Sequence, residues 1–172
     1  SAFSNCTGIT SIEIPNGVTS LGSNVFYDCS SLESVKIPNS VTNIGEDAFS
    51  GCESLINIEI PNGVTSIEEH AFFGCKNLIS IEIPNSVTSI EKYAFSSCSS
   101  LESVEIPNSV TSINNYAFYA CKSLANIKIS NSVMSIGNEA FGKCKGPIIC
   151  ETNSKIHEYA ESNKIGYILL DS

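Results

Sequence analysis

The sequence predicts an α/β repeat protein rich in β-structure: a right-handed solenoid of short parallel strands and small helical or 3-10 turns. Phenylalanine and cysteine recur every 23 residues, from Phe3 and Cys6 to Phe141 and Cys144, without a slip. A fixed period of roughly 20 to 50 residues is typical of solenoids, whose units bury their apolar faces only against their neighbours. An L-x-x-I-x-I-P segment favours a short strand that ends at proline, and the following A-F-x-x-C spacing favours one helical turn.

One coil illustrates the expected order of these segments. Pro38 ends the strand because it has no amide hydrogen to donate to a ladder, and Asn39 suits the turn that follows. The amide of this asparagine is expected to bond the next coil. A second extended segment and the closing turn complete the unit. The inward side chains are expected to be Leu32, Val35, Ile37, Val41, Ile44, Ala48, Phe49 and Cys52.

Two regions are expected along the chain. Residues 1–145 form an array of about six and a half 23-residue coils, and residues 146–172 form a C-terminal cap, because the period fails after Cys144. Ser154 is a plausible N-cap of a helix in this cap. The elements expected there are a strand over 148–150, a helix over 155–163 and a strand over 167–170.

The first three residues already lie inside a repeat, in phase with Asp47–Phe49. We therefore expect the chain to be part of a longer protein. Its first coil is expected to present an open edge, through which two chains could associate.

The charge balance excludes some partners. The net charge is −9, with nine lysines, no arginine and 18 acidic residues. Nucleic-acid binding needs clustered basic residues, so it is not expected, whereas an acidic surface favours basic partners. No apolar run is long enough to span a bilayer, and this fragment carries no signal peptide.

Neither metal, cofactor nor catalytic chemistry is expected. Seven cysteines recur in one column, and no C-x₂-C pair occurs among the eight. Neighbouring coils could bring two thiols within disulfide range, but burial as small apolar side chains is favoured over disulfide or metal binding. Motifs of hydrolases and nucleotide-binding enzymes are missing, and His70 and His157 are the only histidines.

Two surface columns are candidate partner-binding sites. On the solvent side of the strands Glu59, Glu82 and Glu105 are consecutive, and together we call them the acidic strip. Such a strip could receive lysine or arginine side chains of a partner or a weakly held cation, or solvent could simply screen its charges. Before the alanine of the closing turn, His70, Tyr93 and Tyr116 are consecutive, and we call them the aromatic edge. These rings could contact a partner or merely cover the aliphatic side of the turn.

The pattern L-x-x-I-x-I-P-N-S-V-T-S-I-x-x-x-A-F-x-x-C closely resembles the BspA-like leucine-rich repeat family over residues 1–145. Ser130, in place of proline, and Met134, in place of threonine, depart from it. The resemblance implies secreted or surface-attached proteins that adhere to host matrix proteins or other cells, with an association with virulence and without catalysis. It also implies that residues 146–172 are the terminal cap of the same family.

The sequence and the resemblance together predict a non-enzymatic extracellular recognition or adhesion module. Its solenoid surface would bind a host or cell-surface protein, without cofactor and without insertion into a membrane. The alternative is a structural spacer or self-assembly region of a larger surface protein. A recognition module should carry distinctive residues on one surface, whereas a spacer needs only solubility.

Overall fold

A computed structural model describes residues 2–170 and shows a parallel β-solenoid of about seven turns with little helix. This confirms the predicted fold class. No helix within 2–170 is long and apolar enough to cross a membrane. The elements are strands β1 Ser11–Glu13, β2 Ser20–Leu21, β3 Ser34–Lys36, β4 Asn43–Ile44, β5 Asn57–Ile58, β6 Ser66–Ile67, β7 Ser89–Ile90, β8 Ser103–Ile106, β9 Ser112–Ile113, β10 Asn126–Ile129, β11 Ser135–Ile136, β12 Ile148–Glu151 and β13 Tyr167–Leu170, and helix α1 Lys155–Ser162.

The strands form two rows along the solenoid, and every pair is parallel. The first row comprises the sheets β1-β3-β5 and β8-β10-β12-β13, and the second comprises β2-β4 and β6-β7-β9-β11. Between periodic coils the register is one full repeat, as in the pairing of Ser11 with Ser34 and of Ser103 with Asn126. Because equivalent residues lie side by side, each sequence column becomes a physical row of side chains.

Each coil closes through hydrogen-bonded turns, without a regular helix. The amide of Cys29 donates to the carbonyl of Phe26 at 3.1 Å, whereas the amide of Phe26 donates to Ala48 of the next coil at 2.9 Å. Asn24 has φ of +58° and Asp47 has φ of +54°. A helix cannot continue through this left-handed backbone conformation. The expected helical spacing therefore forms a single turn in each coil.

The core is a set of buried columns. The ring centroids of successive phenylalanines, from Phe3 to Phe141, lie 5.1–5.5 Å apart with nearly parallel planes. Phe26, Phe49 and Phe95 are completely buried. The eight inward positions expected for a coil are all buried in the coil that begins at Leu55, so the predicted periodic core is confirmed.

The hydrogen bonds between coils at the turn after the proline agree only in part with the sequence prediction. The Val41 amide donates to the Pro38 carbonyl at 3.0 Å, which forms the turn. We expected asparagine amides to link the coils here. The side-chain amide of Asn131 does donate to Glu151 of the next coil, whereas serine hydroxyls link other coils, as in the bond of 2.8 Å from Ser40 to the Val18 carbonyl. The turn persists at Ser130, whose carbonyl accepts from Val133 at 3.4 Å. Proline is therefore not required for the turn.

The elements expected after the periodic array are present. Helix α1 begins after the N-cap Ser154, whose hydroxyl accepts a hydrogen bond from the His157 amide at 3.1 Å. Strand β13 pairs with β12 at the edge of the sheet, and all four of its residues are exposed. The proposed division at residues 145 and 146 stays a prediction.

Candidate functional site

The outer surface of the first strand row, which we call the strand face, carries a row of charged side chains. Near one end, Lys36 Nζ lies 2.6 Å from Glu13 Oε1, and near the other, Lys128 Nζ lies 2.7 Å from Glu105 Oε1. All four side chains are more than half exposed. Of the three glutamates of the acidic strip, Glu105 is therefore already neutralised by a lysine.

Glu59 and Glu82 have a different environment. They lie opposite each other in adjacent coils, joined by a parallel bridge, and both are exposed. Neither forms an ion pair with any residue in 2–170. Only isolated bridges join β5 to β8 across this region. Regular strand pairing is thus reduced to isolated bridges here, and one of these bridges places the two like charges directly opposite each other.

The same two coils carry an exposed apolar pair that we did not predict. Ile56 is 43% and Ile79 is 46% exposed, and the amide of Ile79 donates to the carbonyl of Ile56 at 3.1 Å. Each isoleucine precedes its glutamate by three residues. Neighbouring coils have Glu33 at this position on one side and Glu102 on the other. A comparison of this column between repeats would have revealed the pair, because only two consecutive coils depart from a polar or small residue.

A groove of about 780 Å³ runs along the strand face from the coil of Glu82 to β13. Three glutamates, Glu82, Glu105 and Glu151, line the groove together with one lysine, Lys128. Leu170 of β13 also lines it. Three carboxylates against one ammonium group make the groove acidic. Its chemistry suits an extended segment that carries positive charges.

The aromatic edge is a continuous stack of rings. The centroid of His70 lies 5.0 Å from that of Tyr93, which lies 4.9 Å from that of Tyr116, and the planes are within 7° of parallel. Phe73 packs edge-on against His70 at 5.6 Å, and Tyr119 packs edge-on against Tyr116 at 5.5 Å. The structure therefore brings the three predicted residues together, half-buried, with their inner faces occupied by one another.

The backbone of the aromatic edge is in a conformation that large side chains rarely adopt. His70, Tyr93 and Tyr116 have φ of +55°, +57° and +60°. This region favours glycine and asparagine and costs other residues about 1–2 kcal/mol. Every coil needs this conformation for its turn, and Asn24 supplies it with a favourable residue type. The aromatic residues are thus retained despite a local conformational cost.

The cysteine column is reduced, and it is buried from Cys29 to Cys121 and half-buried at its two ends, Cys6 and Cys144. Each thiol from Cys29 to Cys144 donates to a phenylalanine carbonyl of the preceding coil, with Sγ–O distances of 3.0–3.3 Å. All cysteines are free. Burial raises the pKa of Cys52 to about 12 and that of Cys75 well above its ordinary value. Neutral, inaccessible thiols are poor nucleophiles and poor metal ligands, which supports the prediction that they fill the core.

A separate group of side chains has the composition of a metal site. One ligand atom from each of Glu46, Asp47 and His70 lies within 4.8 Å of the other two. Glu46 is exposed, whereas Asp47 and His70 are half-buried. This group was not predicted, because only the cysteine column and the acidic strip were considered as ligands for a cation. The signal was available, since Asp47 and His70 occupy one column in adjacent coils.

A family model described as the BspA type leucine-rich repeat region matches residues 1–101 and 42–165, with six copies. Curated protein sequences give no match.

Solved structures of bacterial leucine-rich repeat proteins resemble the chain. A leucine-rich repeat protein from Bacteroides ovatus is 31% identical with a TM-score of 0.67, over 88% of this chain and 45% of that protein. The leucine-rich repeat protein of T. pallidum is 32% identical with a TM-score of 0.61, over 74% of this chain and 73% of that protein. The pneumococcal vaccine antigen PcpA, at 15% identity and a TM-score of 0.54 over 95% of this chain and 68% of the antigen, shares the fold alone. The chain belongs to the BspA-type leucine-rich repeat family.

Proposed function

We propose that this chain is a non-catalytic extracellular recognition module that binds a basic segment of a host or cell-surface protein through its strand face. Leucine-rich repeat domains generally mediate protein–protein interaction and are typically non-catalytic. The observation that carries the proposal is the selective pairing of charges along one row. Glu13 and Glu105 each have a lysine partner, whereas the adjacent Glu59 and Glu82 have none in 2–170.

The position of these two glutamates supports recognition over a spacer. Two like charges opposite each other weaken a strand pair, so a spacer would gain stability by replacing either of them. A partner lysine or arginine between Glu59 and Glu82 would relieve the repulsion on binding. The exposed pair Ile56 and Ile79 on the same coils offers apolar area beside the charge. Apolar anchors next to complementary charges are typical of protein interfaces.

The aromatic edge is proposed as a second contact surface. Its stacked rings lie on the closing turn, and tyrosine is enriched among residues that dominate binding energy. The rings are half-buried against one another, so they present a rigid surface that loses little entropy on binding. The unfavourable φ at Tyr93 and Tyr116 is consistent with selection for contact as well as for folding.

A binding measurement tests the strand face. The chain is screened against host matrix proteins and lysine-rich peptides at two salt concentrations, beside a Glu59→Gln/Glu82→Gln variant. We expect saturable binding that weakens by at least about tenfold in the variant and falls with salt. The matched control is Asp28→Asn/Glu158→Gln, which removes the same charge elsewhere. Equal weakening in both variants would show that net charge, and not the strand face, governs binding.

The aromatic edge requires a separate variant because it lies on another surface. Substitution of His70, Tyr93 and Tyr116 by asparagine removes the rings while suiting the left-handed backbone, so the variant should remain folded. Loss of binding in this variant would assign the contact to the aromatic edge. Unchanged binding would limit the interface to the strand face.

A structural or self-assembling role is the alternative, and β13 is the observation that favours it. Tyr167, Ile168, Leu169 and Leu170 are each 38–51% exposed on this edge strand. Exposed apolar edge strands promote association between chains. Association through the first coil, where Phe3 stacks only on Phe26 within 2–170, stays a prediction. Light scattering at increasing concentration tests both, since a monomer at high concentration contradicts self-assembly through either end.

A secreted or cell-surface location is part of the proposal and is supported by the family to which the chain belongs. Antibodies raised against the chain should label intact cells of the source organism or detect the protein in the culture medium. Labelling only after permeabilisation would contradict this location.

A further inference from the structure

We propose that Glu46, Asp47 and His70 form a binding site for a divalent transition-metal ion, with Zn²⁺ as its reference ion. The three side chains come from two adjacent coils and bring one ligand atom each within 4.8 Å of the others. Two carboxylate oxygens and one imidazole nitrogen are ligands that Zn²⁺ accepts, with a further position left for water or another ligand. The site lies at one end of the aromatic edge and is separate from the strand face.

The repeat geometry fixes two of the three ligands. Asp47 and His70 occupy the same left-handed position in successive coils, with φ of +54° and +55°. Their backbones are bonded to the next coil, the Asp47 amide to the Glu69 carbonyl and the His70 amide to the Lys92 carbonyl, at 3.1 Å each. Both side chains therefore leave the backbone in the same direction from neighbouring coils.

The orientation of the imidazole is restrained by its neighbours. One face of His70 stacks on Tyr93, with centroids 5.0 Å apart and planes within 7° of parallel, and the edge of the ring meets Phe73. Glu69 Oε1 lies 4.0 Å from His70 Nδ1, so a small rotation allows it to accept the Nδ1 hydrogen. Metal-binding histidines commonly donate this second hydrogen to a carboxylate, which leaves Nε2 for the ion.

The remaining distances can close without backbone movement. Ligand atoms around a tetrahedral Zn²⁺ are about 3.3 Å apart, given metal–ligand bonds of about 2.0–2.1 Å. The present separations are at most 4.8 Å, so each must shorten by no more than about 1.5 Å, which rotation of the Glu46 and Asp47 side chains can supply. Glu46, Asp47, Glu68 and Glu69 place four carboxylates on these two turns, so the local charge attracts a cation.

Calorimetric titration of the chelator-treated, reduced protein with Zn²⁺ tests the site. We expect one ion per chain. Asp47→Asn and His70→Asn keep side chains that suit the backbone, and each should weaken binding by at least about tenfold. Glu69→Gln should weaken it less, because Glu69 only positions the ring. His157→Ala is the matched control, since it removes the other histidine and should leave the affinity unchanged.

Proton NMR gives a readout that does not depend on heat. The chain has two histidines, so the His157→Ala variant assigns the ring signals of His70 directly. Zn²⁺ should shift or broaden these signals at one equivalent. Three results would overturn the proposal: no saturable binding, binding that survives in both asparagine variants and hence belongs to other ligands, or a preference for Mg²⁺ or Ca²⁺ that His70→Asn leaves unchanged. None of them bears on the strand face.

Discussion

The thiol of Cys75 donates to the carbonyl oxygen of Phe49 across an Sγ–O distance of 3.2 Å, and the same carbonyl accepts the Cys52 amide at 3.1 Å. The carbonyl is thus satisfied without the thiol, so the contribution of the sulfur is mainly packing. We expect Cys75→Ala to lower the free energy of unfolding by about 1–3 kcal/mol, from the lost sulfur volume and one weak hydrogen bond.

Urea denaturation measures this loss. Ser80→Ala, on the exposed strand face, is the control and should change stability by less than about 0.5 kcal/mol. Cys75→Ser should also destabilise, because a buried hydroxyl packs less apolar volume. A Cys75→Ser variant as stable as the natural chain would show that the hydrogen bond, and not packing, decides this position.

The buried thiols predict instability at alkaline pH. The folded pKa of Cys52 is about 12, and burial also raises the pKa values of Cys75 and Cys98 above the ordinary value of 9.0. Between the unfolded and folded pKa values the unfolded chain binds fewer protons, so stability falls as pH rises. The stability that the protonated thiols contribute should be fully present below pH 9. Above pH 9 the free energy of unfolding should decline, by up to about 1.4 kcal/mol per pH unit for each such thiol.

Circular dichroism melts between pH 8 and about 11 check this dependence. A Cys75→Ala/Cys98→Ala variant has two fewer titrating thiols, so its stability should decline less steeply. An unchanged slope in the variant would show that other groups cause the alkaline loss.

The phenylalanine stack should respond differently at its centre and its end. Phe95 is completely buried, with Phe72 and Phe118 at 5.3 and 5.1 Å. We expect Phe95→Ala to lower the free energy of unfolding by about 3–5 kcal/mol. Phe3→Ala should cost clearly less, because Phe3 is half-buried and stacks within 2–170 only on Phe26. If chemical denaturation showed that both substitutions lower the free energy of unfolding equally, burial and a second stacking neighbour would not explain the stability of the column.

Two substitutions of Tyr93 separate the conformational cost of its left-handed backbone from the stabilisation by ring stacking. Both Tyr93→Asn and Tyr93→Ala remove the two ring contacts, each worth about 0.5–1.5 kcal/mol, but only asparagine suits φ of +57°. We therefore expect the asparagine variant to be more stable than the alanine variant by about 0.5–1 kcal/mol. Thermal melts compare the pair. Equal stability would show that this position imposes no cost on alanine.

Removal of the lysine that pairs with Glu105 should strengthen binding of a basic ligand. Lys128 and Glu105 form an exposed ion pair of 2.7 Å, so Lys128→Gln should change stability by no more than about 1 kcal/mol. It leaves a third unpaired carboxylate in the acidic groove, and affinity for a lysine-rich peptide should rise. Lys155→Gln, which frees Glu158 on α1, is the control and should have a much smaller effect. A fall in affinity would place Lys128 itself in the interface.

Much of the fold could be predicted because the repeat itself encodes the register. Phe49 and Phe72 are separated by one period, and only a shift of one whole coil buries both against each other. The strands, the turn after Pro38 and helix α1 follow from local chemistry. The closing turn was harder, since the left-handed backbone at Asp47 and Tyr93 carries no single residue type that identifies it.

The candidate sites were predicted in part. The aromatic edge could be predicted from the sequence because each of its three rings has an aromatic neighbour one 23-residue period away. The three glutamates of the acidic strip are exposed as expected, but Lys128 neutralises Glu105, and the role of the strip in binding stays a prediction. The column of Ile56 and Ile79 was not compared between repeats, so the pair was missed, and only the structure shows how far the two side chains are exposed.

The sequence by itself determined the coil, the columns and the core, because burial of apolar side chains at a constant interval allows only one stacking. The tertiary structure decided which charges are neutralised, how far the aromatic rings are buried and which ligand atoms meet. Those relationships depend on side chains of different coils at distances of 3–5 Å, as between Glu46 and His70. Spacing along one coil cannot fix such distances, whereas the stacked backbone does.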